Sequence, residues 1–497
     1  MICKILETDI NFSIRLGKPF TMCFLFFACL MSSCKETEKT TETVQEKPYN
    51  VSFIMSDDLN TSLGAYGNTV VQTPHLDKLA ENGTLFTQAH CQFPLCGPSR
   101  VSIMTGLRPD TTQVWVNKAS LRETIPTVET LPQFFKNKGY FSGRVGKIFH
   151  YSVPSDIGTN GSDDALSWVT RVNPSGEDKK LEDKVINYTP EHGLGLALAY
   201  YSDPSHLKKH TDELVADEAI KLMQQHKDDP FFIAAGFFRP HTPYIAPKKY
   251  FDLYPLESIE IAKSPIDDLD DVPAIAVEAC IKKYGGQNLT INEQKEIKRA
   301  YYACVSFMDA QVGKLMTALD ELGLKENTIV VFMSDHGYNL GEHHLWEKMN
   351  LFEQATRVPL IVYLPGKKQP KTLDFAELID LYPTLTEATG FQSPKYVQGK
   401  SLYSALTGKA EITKKYAVTA VARPGKKHYR DSLNNGYRLS GKSLRTPNWR
   451  FTEWEQGEKG IELYNKIKDP EEFNNLGKDT TYLKIVNELE TELHGVN

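Results

Sequence analysis

The chain has 497 residues, more than one hydrophobic core usually serves, so two domains or one large α/β domain with an appendage are expected. Its 40% hydrophobic and 24% charged content is that of a globular protein and argues against a fibrous or wholly disordered chain. A net charge of −6 points away from nucleic acid and from a broadly basic surface, so an anionic ligand would have to be drawn by a local positive site.

Residues Phe20 to Leu30 form an apolar run of signal-peptide length, preceded by Arg15 and Lys18 and too short to span a bilayer comfortably. Small residues before Cys34 resemble a bacterial lipobox. The expectation is a signal peptide over 1–33, a lipid anchor on Cys34 and a disordered Thr/Glu/Lys-rich tether over 34–48. Plain cleavage with release is the alternative. Such a protein would be exported as a lipoprotein of the bacterial cell envelope, periplasmic or at the cell surface, and would touch the membrane only through that anchor. Beyond Cys34 only Cys91, Cys96, Cys280 and Cys304 remain, too few for a disulfide framework, with a Cys280–Cys304 bridge left open.

Tyr49 to Met55 reads as a buried strand ending in Ser56-Asp57-Asp58. Two adjacent carboxylates at a strand end are costly unless they are solvated or hold a cation, and ligands collect at the carboxyl ends of open α/β sheets. A helix from Thr73-Pro74 to about Asn82 and a strand Thr84–His90 lead into Cys91-Gln92-Phe93-Pro94-Leu95-Cys96-Gly97-Pro98-Ser99-Arg100. Pro98 suits the first turn of a short buried helix, which places Cys96 at its N–H-rich end and Arg100 one turn on, as a fork for an oxyanion. Thr127 to Lys138 is amphipathic, and a strand within Gly139–His150 delivers Lys147 and His150 together.

Tyr151 to Ser205 has little periodicity and reads as an insertion over the site. A helix over Thr211–Lys227 and a core strand over Phe231–Phe238 bring in Arg239-Pro240-His241. Lys248 to Gly286 is a second irregular excursion. Ile291 to Gly323 is helical, with Tyr301, Val305, Met308 and Val312 spaced as packing residues. A strand Asn327–Met333 ends in Ser334-Asp335-His336, and Trp346-Glu347-Lys348 follows. Pro359–Leu364 is a strand and Phe375–Thr389 a helix. The last part is built of short alternating segments and a closing helix over Tyr482–Leu493.

The run Cys96-x-Pro98-Ser99-Arg100-x4-Thr105-Gly106 resembles the type I sulfatase signature, and Gly143-Arg144-Val145-Gly146-Lys147-Ile148-Phe149-His150 resembles the second. Asp335-His336, where most sulfatases have Asn at the second position, and Trp346-Glu347-Lys348 favour the iduronate-2-sulfatase-like branch. The resemblance implies an α/β, alkaline-phosphatase-like sandwich: a large mixed, mostly parallel sheet flanked by helices over 49–395, and a smaller antiparallel C-terminal subdomain over 396–497. It implies that a maturation enzyme converts Cys96 to formylglycine (3-oxoalanine), the nucleophile. Arg100, Lys147 and Lys348 would hold the sulfate, His241 would protonate the leaving oxygen, and His150 would serve in eliminating the sulfate.

Asp57, Asp58, Cys96, Asp335 and His336 would ligate one metal ion. Their oxygen-rich set favours Ca2+, with Mg2+ second and the imidazole leaving room for a transition metal. The expected partner is a sulfated carbohydrate, an ulvan-type algal glycan before a glycosaminoglycan 2-O-uronate. A phosphodiesterase or phosphonate hydrolase of the same superfamily is the alternative activity.

Overall fold

The computed structural model describes residues 48–205, 207–425 and 433–496. The expected signal peptide, Cys34 and all but the last residue of the tether lie outside them. Residues 47–497 form one compact unit. No helix among the described residues is long and apolar enough to cross a membrane.

A nine-stranded sheet organises the fold. Its order is Arg357–Val358, Thr84–His90, Leu360–Tyr363, Thr328–Ser334, Asn50–Ser56, Phe231–Gly236, Phe141–Gly146 and Thr170–Val172, with Thr372–Glu377 also pairing with Thr84–His90. The four central strands, Thr328–Ser334 to Phe141–Gly146, are mutually parallel, and antiparallel pairs enter only through Arg357–Val358 and Leu360–Tyr363. This is the mixed, mostly parallel sheet expected.

Strand periodicity sets the two faces. Val51, Phe53 and Met55, with Phe232, Ala234, Ile329 and Val331, enter one core beneath the helices Cys96–Thr105, Leu131–Asn137 and Leu381–Ala388. Ile54, Ile233, Ala235, Val330 and Phe332 point the other way, against Pro74–Asn82, Thr211–Gln225 and the 31-residue helix Ile291–Glu321. Thr290 begins that long helix with a capping box to Glu293.

Two expectations are corrected. Phe375 to Glu377 belong to a strand, and the helix starts at Leu381. Leu373 and Phe375 extend the ladder with Phe86 and Gln88, and Asp380 turns back to accept the Glu377 N–H at 2.9 Å. The second half of the excursion before Gly286 is a helix, Ala274–Tyr284, buried through Ala276, Val277, Cys280 and Tyr284. Cys280 and Cys304 are free thiols in different cores.

The C-terminal part is a four-stranded antiparallel sheet, Ala417–Pro424, Tyr437–Arg445, Trp449–Trp454 and Ile461–Asn465, covered on one face by Leu483–His494. Its other face shares a core with Phe93, Leu95, Met349 and Phe352. A buried ion cluster reinforces that seam. Arg450 donates to Glu472 at 2.8 Å, Lys466 bridges Glu472 (2.9 Å) and Glu353 (3.1 Å), and Arg445 donates to Glu353 at 2.7 Å.

Arg450→Leu strands Glu472 without its main partner, so chemical denaturation should show a loss of about 3–5 kcal/mol. Although burial pushes Glu472 upward, Arg450 and Lys466 hold it down at about 2. Its contribution is therefore present above the unfolded value of about 4.3 and is lost as the pH falls from there toward 2.

Candidate active site

The site lies beyond the carboxyl ends of the four central strands. Asp57 and Asp58 follow Asn50–Ser56, Asp335 and His336 follow Thr328–Ser334, Lys147 follows Phe141–Gly146, and His241 lies just past Phe231–Gly236. Close backbone approach makes this possible. A Cβ on Gly236 would sit 2.1 Å from the Lys147 carbonyl, and Gly146 has φ +75, so both positions need glycine for the Lys147 N–H to reach the Gly236 carbonyl at 2.9 Å.

Cys96 opens the wholly buried helix Cys96–Thr105. The Gly97 N–H at this terminus donates to Asn117 Oδ1 at 2.9 Å, and the Ser99 hydroxyl donates to the Asp335 carbonyl at 2.5 Å, so the helix is fixed to the strand that carries the acid. Around Cys96 Sγ stand His336 Nε2 at 3.3 Å, Lys348 Nζ at 3.4 Å, Asp58 Oδ1 at 3.8 Å and Lys147 Nζ at 4.0 Å. His150 also faces the sulfur. Burial alone would raise the Cys96 thiol, but Lys147, Lys348 and His336 bring it well below its ordinary value.

The charges alternate. Lys147 donates to Asp57 Oδ2 at 2.5 Å, and Lys348 to both Asp58 oxygens at 2.5 and 2.7 Å. Against the pull of burial, Lys147, His241 and Arg100 hold Asp57 down at about 2. Burial wins at Asp335, which rises to about 6 despite Arg100. Lys348 lies between Glu347 at φ 64 and Met349 at φ 68, a sharply turned backbone that drives its side chain inward.

Arg100 does not have the free fork expected for an oxyanion. Its guanidinium donates to Asp335 Oδ2 (2.8 Å), Asp57 Oδ1 (3.0 Å) and the carbonyls of Lys147 (2.5 Å) and Ile148 (3.1 Å). In this arrangement the guanidinium braces the two acids and the Lys147 segment.

The donor set fits a hard cation. Oxygens of Asp57, Asp58 and Asp335, the Cys96 sulfur and the His336 and His241 nitrogens form overlapping triads whose ligand atoms lie within 4.8 Å of one another, all buried. His336 Nδ1–H donates to the Gly337 carbonyl at 2.8 Å, which fixes the ring with Nε2 aimed inward, 3.2 Å from Asp58 Oδ1, where a metal ion would take it in place of its proton. His336→Asn is expected to weaken metal-ion binding by about tenfold or more while keeping the fold. Unchanged metal affinity in isothermal titration would remove His336 from the ligand set.

Sequence spacing also hid a role for Tyr301. Its hydroxyl donates to the Asp58 carbonyl (2.8 Å) and accepts from the Asn60 N–H (2.9 Å), pinning the acidic loop to the long helix. Its helical spacing is only that of a core residue. A polar hydroxyl on a core stripe facing a strand end was the one available signal.

A cavity of about 650 Å3 opens over this floor, lined by His150, His241 and Lys348 among others. The family described as Sulfatase matches residues 49–391, and that described as N-sulphoglucosamine sulphohydrolase, C-terminal, matches 341–497. The chain is 32% identical to the Mus musculus iduronate 2-sulfatase, over 90% of this chain and 89% of that one. It is 27% identical to an ulvan-active sulfatase of Formosa agariphila, over 98% and 88%. Its fold resembles that of the phosphonate monoester hydrolase of Agrobacterium radiobacter, with a TM-score of 0.71 at 20% identity over 90% of this chain and 95% of that one. The chain therefore belongs to the sulfatase family and is a sulfuric ester hydrolase of the iduronate-2-sulfatase-like branch.

Proposed function

We propose that the enzyme removes sulfate esters from a sulfated polysaccharide or its oligosaccharides, an ulvan-type algal glycan first, using formylglycine made from Cys96 and one calcium ion. Asp57, Asp58, Asp335 and His336, with residue 96, would hold the ion. The observation that carries the reading is the crowding of Lys147, Lys348 and His336 within 4.0 Å of the Cys96 sulfur, among buried acids. The Formosa agariphila relative that is ulvan-active and spans nearly the whole chain supports the algal glycan. The iduronate 2-sulfatase relative, at higher identity, supports a glycosaminoglycan 2-O-uronate as the second reading.

The hydrated aldehyde would supply the nucleophilic oxygen, and calcium would supply Lewis acidity. The chain's own residues do the rest. Lys147 and Lys348 place two ammonium groups where charge develops on the sulfate oxygens, in a site closed to water on its floor. His241 Nδ1–H donates to the Thr242 carbonyl at 2.6 Å, which fixes the ring so that Nε2 would deliver a proton to the leaving sugar oxygen. Burial pulls the His150 imidazole below its ordinary value, so it is a neutral base able to take up a proton at residue 96 as the site is reset.

Export, the Cys34 lipid anchor and a formylglycine-generating enzyme complete the proposal. They place the hydrolase in the cell envelope, where polysaccharide fragments arrive.

The test is sulfate release, followed by ion chromatography, from ulvan oligosaccharides and from glycosaminoglycan disaccharides, with an aryl phosphonate as control. Turnover confined to the phosphonate would transfer the enzyme to the phosphonate hydrolases. Turnover confined to the animal glycans would select the second reading.

A further inference from the structure

Resting on the sulfatase reading, we propose that Lys283 determines substrate specificity by binding an anionic substituent, a carboxylate or a second sulfate, on the sugar that carries the scissile ester or on its neighbour. Lys283 is the penultimate residue of the helix Ala274–Tyr284 and lines the same cavity as His150, His241 and Lys348. Of the other cavity lysines, Lys348 is the one assigned above to the reacting sulfate, and Lys179 is paired with Glu182 at 2.8 Å. Among the described residues, no carboxylate lies within ion-pair distance of Lys283.

The polar contact that Lys283 does make is to the Met349 thioether at 2.9 Å, a weak acceptor, and its ammonium lies 5.3 Å from the Tyr284 ring centre. Glu347, the acid beside Lys348, is itself pushed well above the carboxylate range by burial, so it offers little counter-charge. A half-buried cation without an anion is costly in a finished structure. Burial first, and then the charge of Lys348, lower Lys283 to about 8, as befits an ammonium short of a partner. In a cavity whose floor is shaped for a sulfate, the missing partner is a second negative group of the same substrate. Uronates and multiply sulfated sugars both carry one.

The experiment compares matured wild type, Lys283→Gln and Lys283→Arg on four compounds. These are 4-nitrophenyl sulfate, a 2-sulfated uronate disaccharide, the same disaccharide with its carboxyl reduced to an alcohol, and a disulfated glucosamine. Lys283→Gln should lose about 10–100-fold in kcat/KM on an acidic substrate, mainly through KM, and stay within about threefold on 4-nitrophenyl sulfate. Lys283→Arg should restore much of the loss, and an unchanged Tm excludes misfolding. A deficit that vanishes with the carboxyl-reduced sugar identifies the carboxylate, and one confined to the disulfated sugar identifies a second sulfate. Equal losses on all four compounds, or none, would overturn the assignment. Calorimetric binding of the desulfated uronate disaccharide to wild type and Lys283→Gln reads the same contact without turnover. If wild type hydrolyses no sulfate ester, the sulfatase reading fails while this binding comparison still decides Lys283.

Discussion

Cys96→Ala is expected to lower sulfate-ester hydrolysis by at least about 10⁴-fold while leaving the fold and its melting temperature close to wild type. The sulfur is buried at the head of a helix anchored by Asn117 and Ser99, neither of which depends on it. What alanine removes is the one atom on which Lys147, Lys348, His336 and His150 converge. No neighbouring side chain can replace a nucleophile at that point. Turnover surviving at a tenth of wild type, in protein freed of contaminating sulfatase, would move the chemistry away from residue 96.

Arg100→Lys should be nearly as damaging, with kcat/KM falling about 10³-fold and bound metal falling with it. The guanidinium braces Asp57, Asp335 and two backbone carbonyls at once, all with no exposed surface. A single ammonium cannot span that fork, so at least one buried carboxylate loses its partner. The pattern discriminates between roles. If Arg100 instead clamped the substrate, lysine would chiefly raise KM and leave the metal in place.

Most of this site was legible in the sequence because its chemistry is concentrated in short runs. Asp57-Asp58, Asp335-His336 and Lys147 all sit where an apolar strand stops, and strand ends are easy to see when the strand is buried on both faces. Cys96 and Arg100 lie in a run too particular to be chance, although its wording says nothing about what the guanidinium touches. That needed the parallel pairing of Asn50–Ser56 with Thr328–Ser334, which sets two acids side by side and draws Arg100 between them.

The same limit hid Tyr301, since a core stripe looks alike whether or not its hydroxyl meets a strand end. The helix Ala274–Tyr284 escaped notice because Pro273 and a run of acids precede it and mask a short apolar spacing. Phe375 to Glu377 were misread for the opposite reason. Their helix-like continuity with Leu381 conceals a turn at Asp380 that only the Glu377 N–H contact specifies.

The most direct test of formylglycine chemistry at residue 96 is peptide mass spectrometry across that residue on protein purified from its native host, paired with a sulfate-release assay on the same preparation. The expected result is a peptide in which the cysteine –CH2SH has become an aldehyde, at a fraction that tracks specific activity. An intact thiol at residue 96 in protein that fully hydrolyses sulfate esters would contradict it.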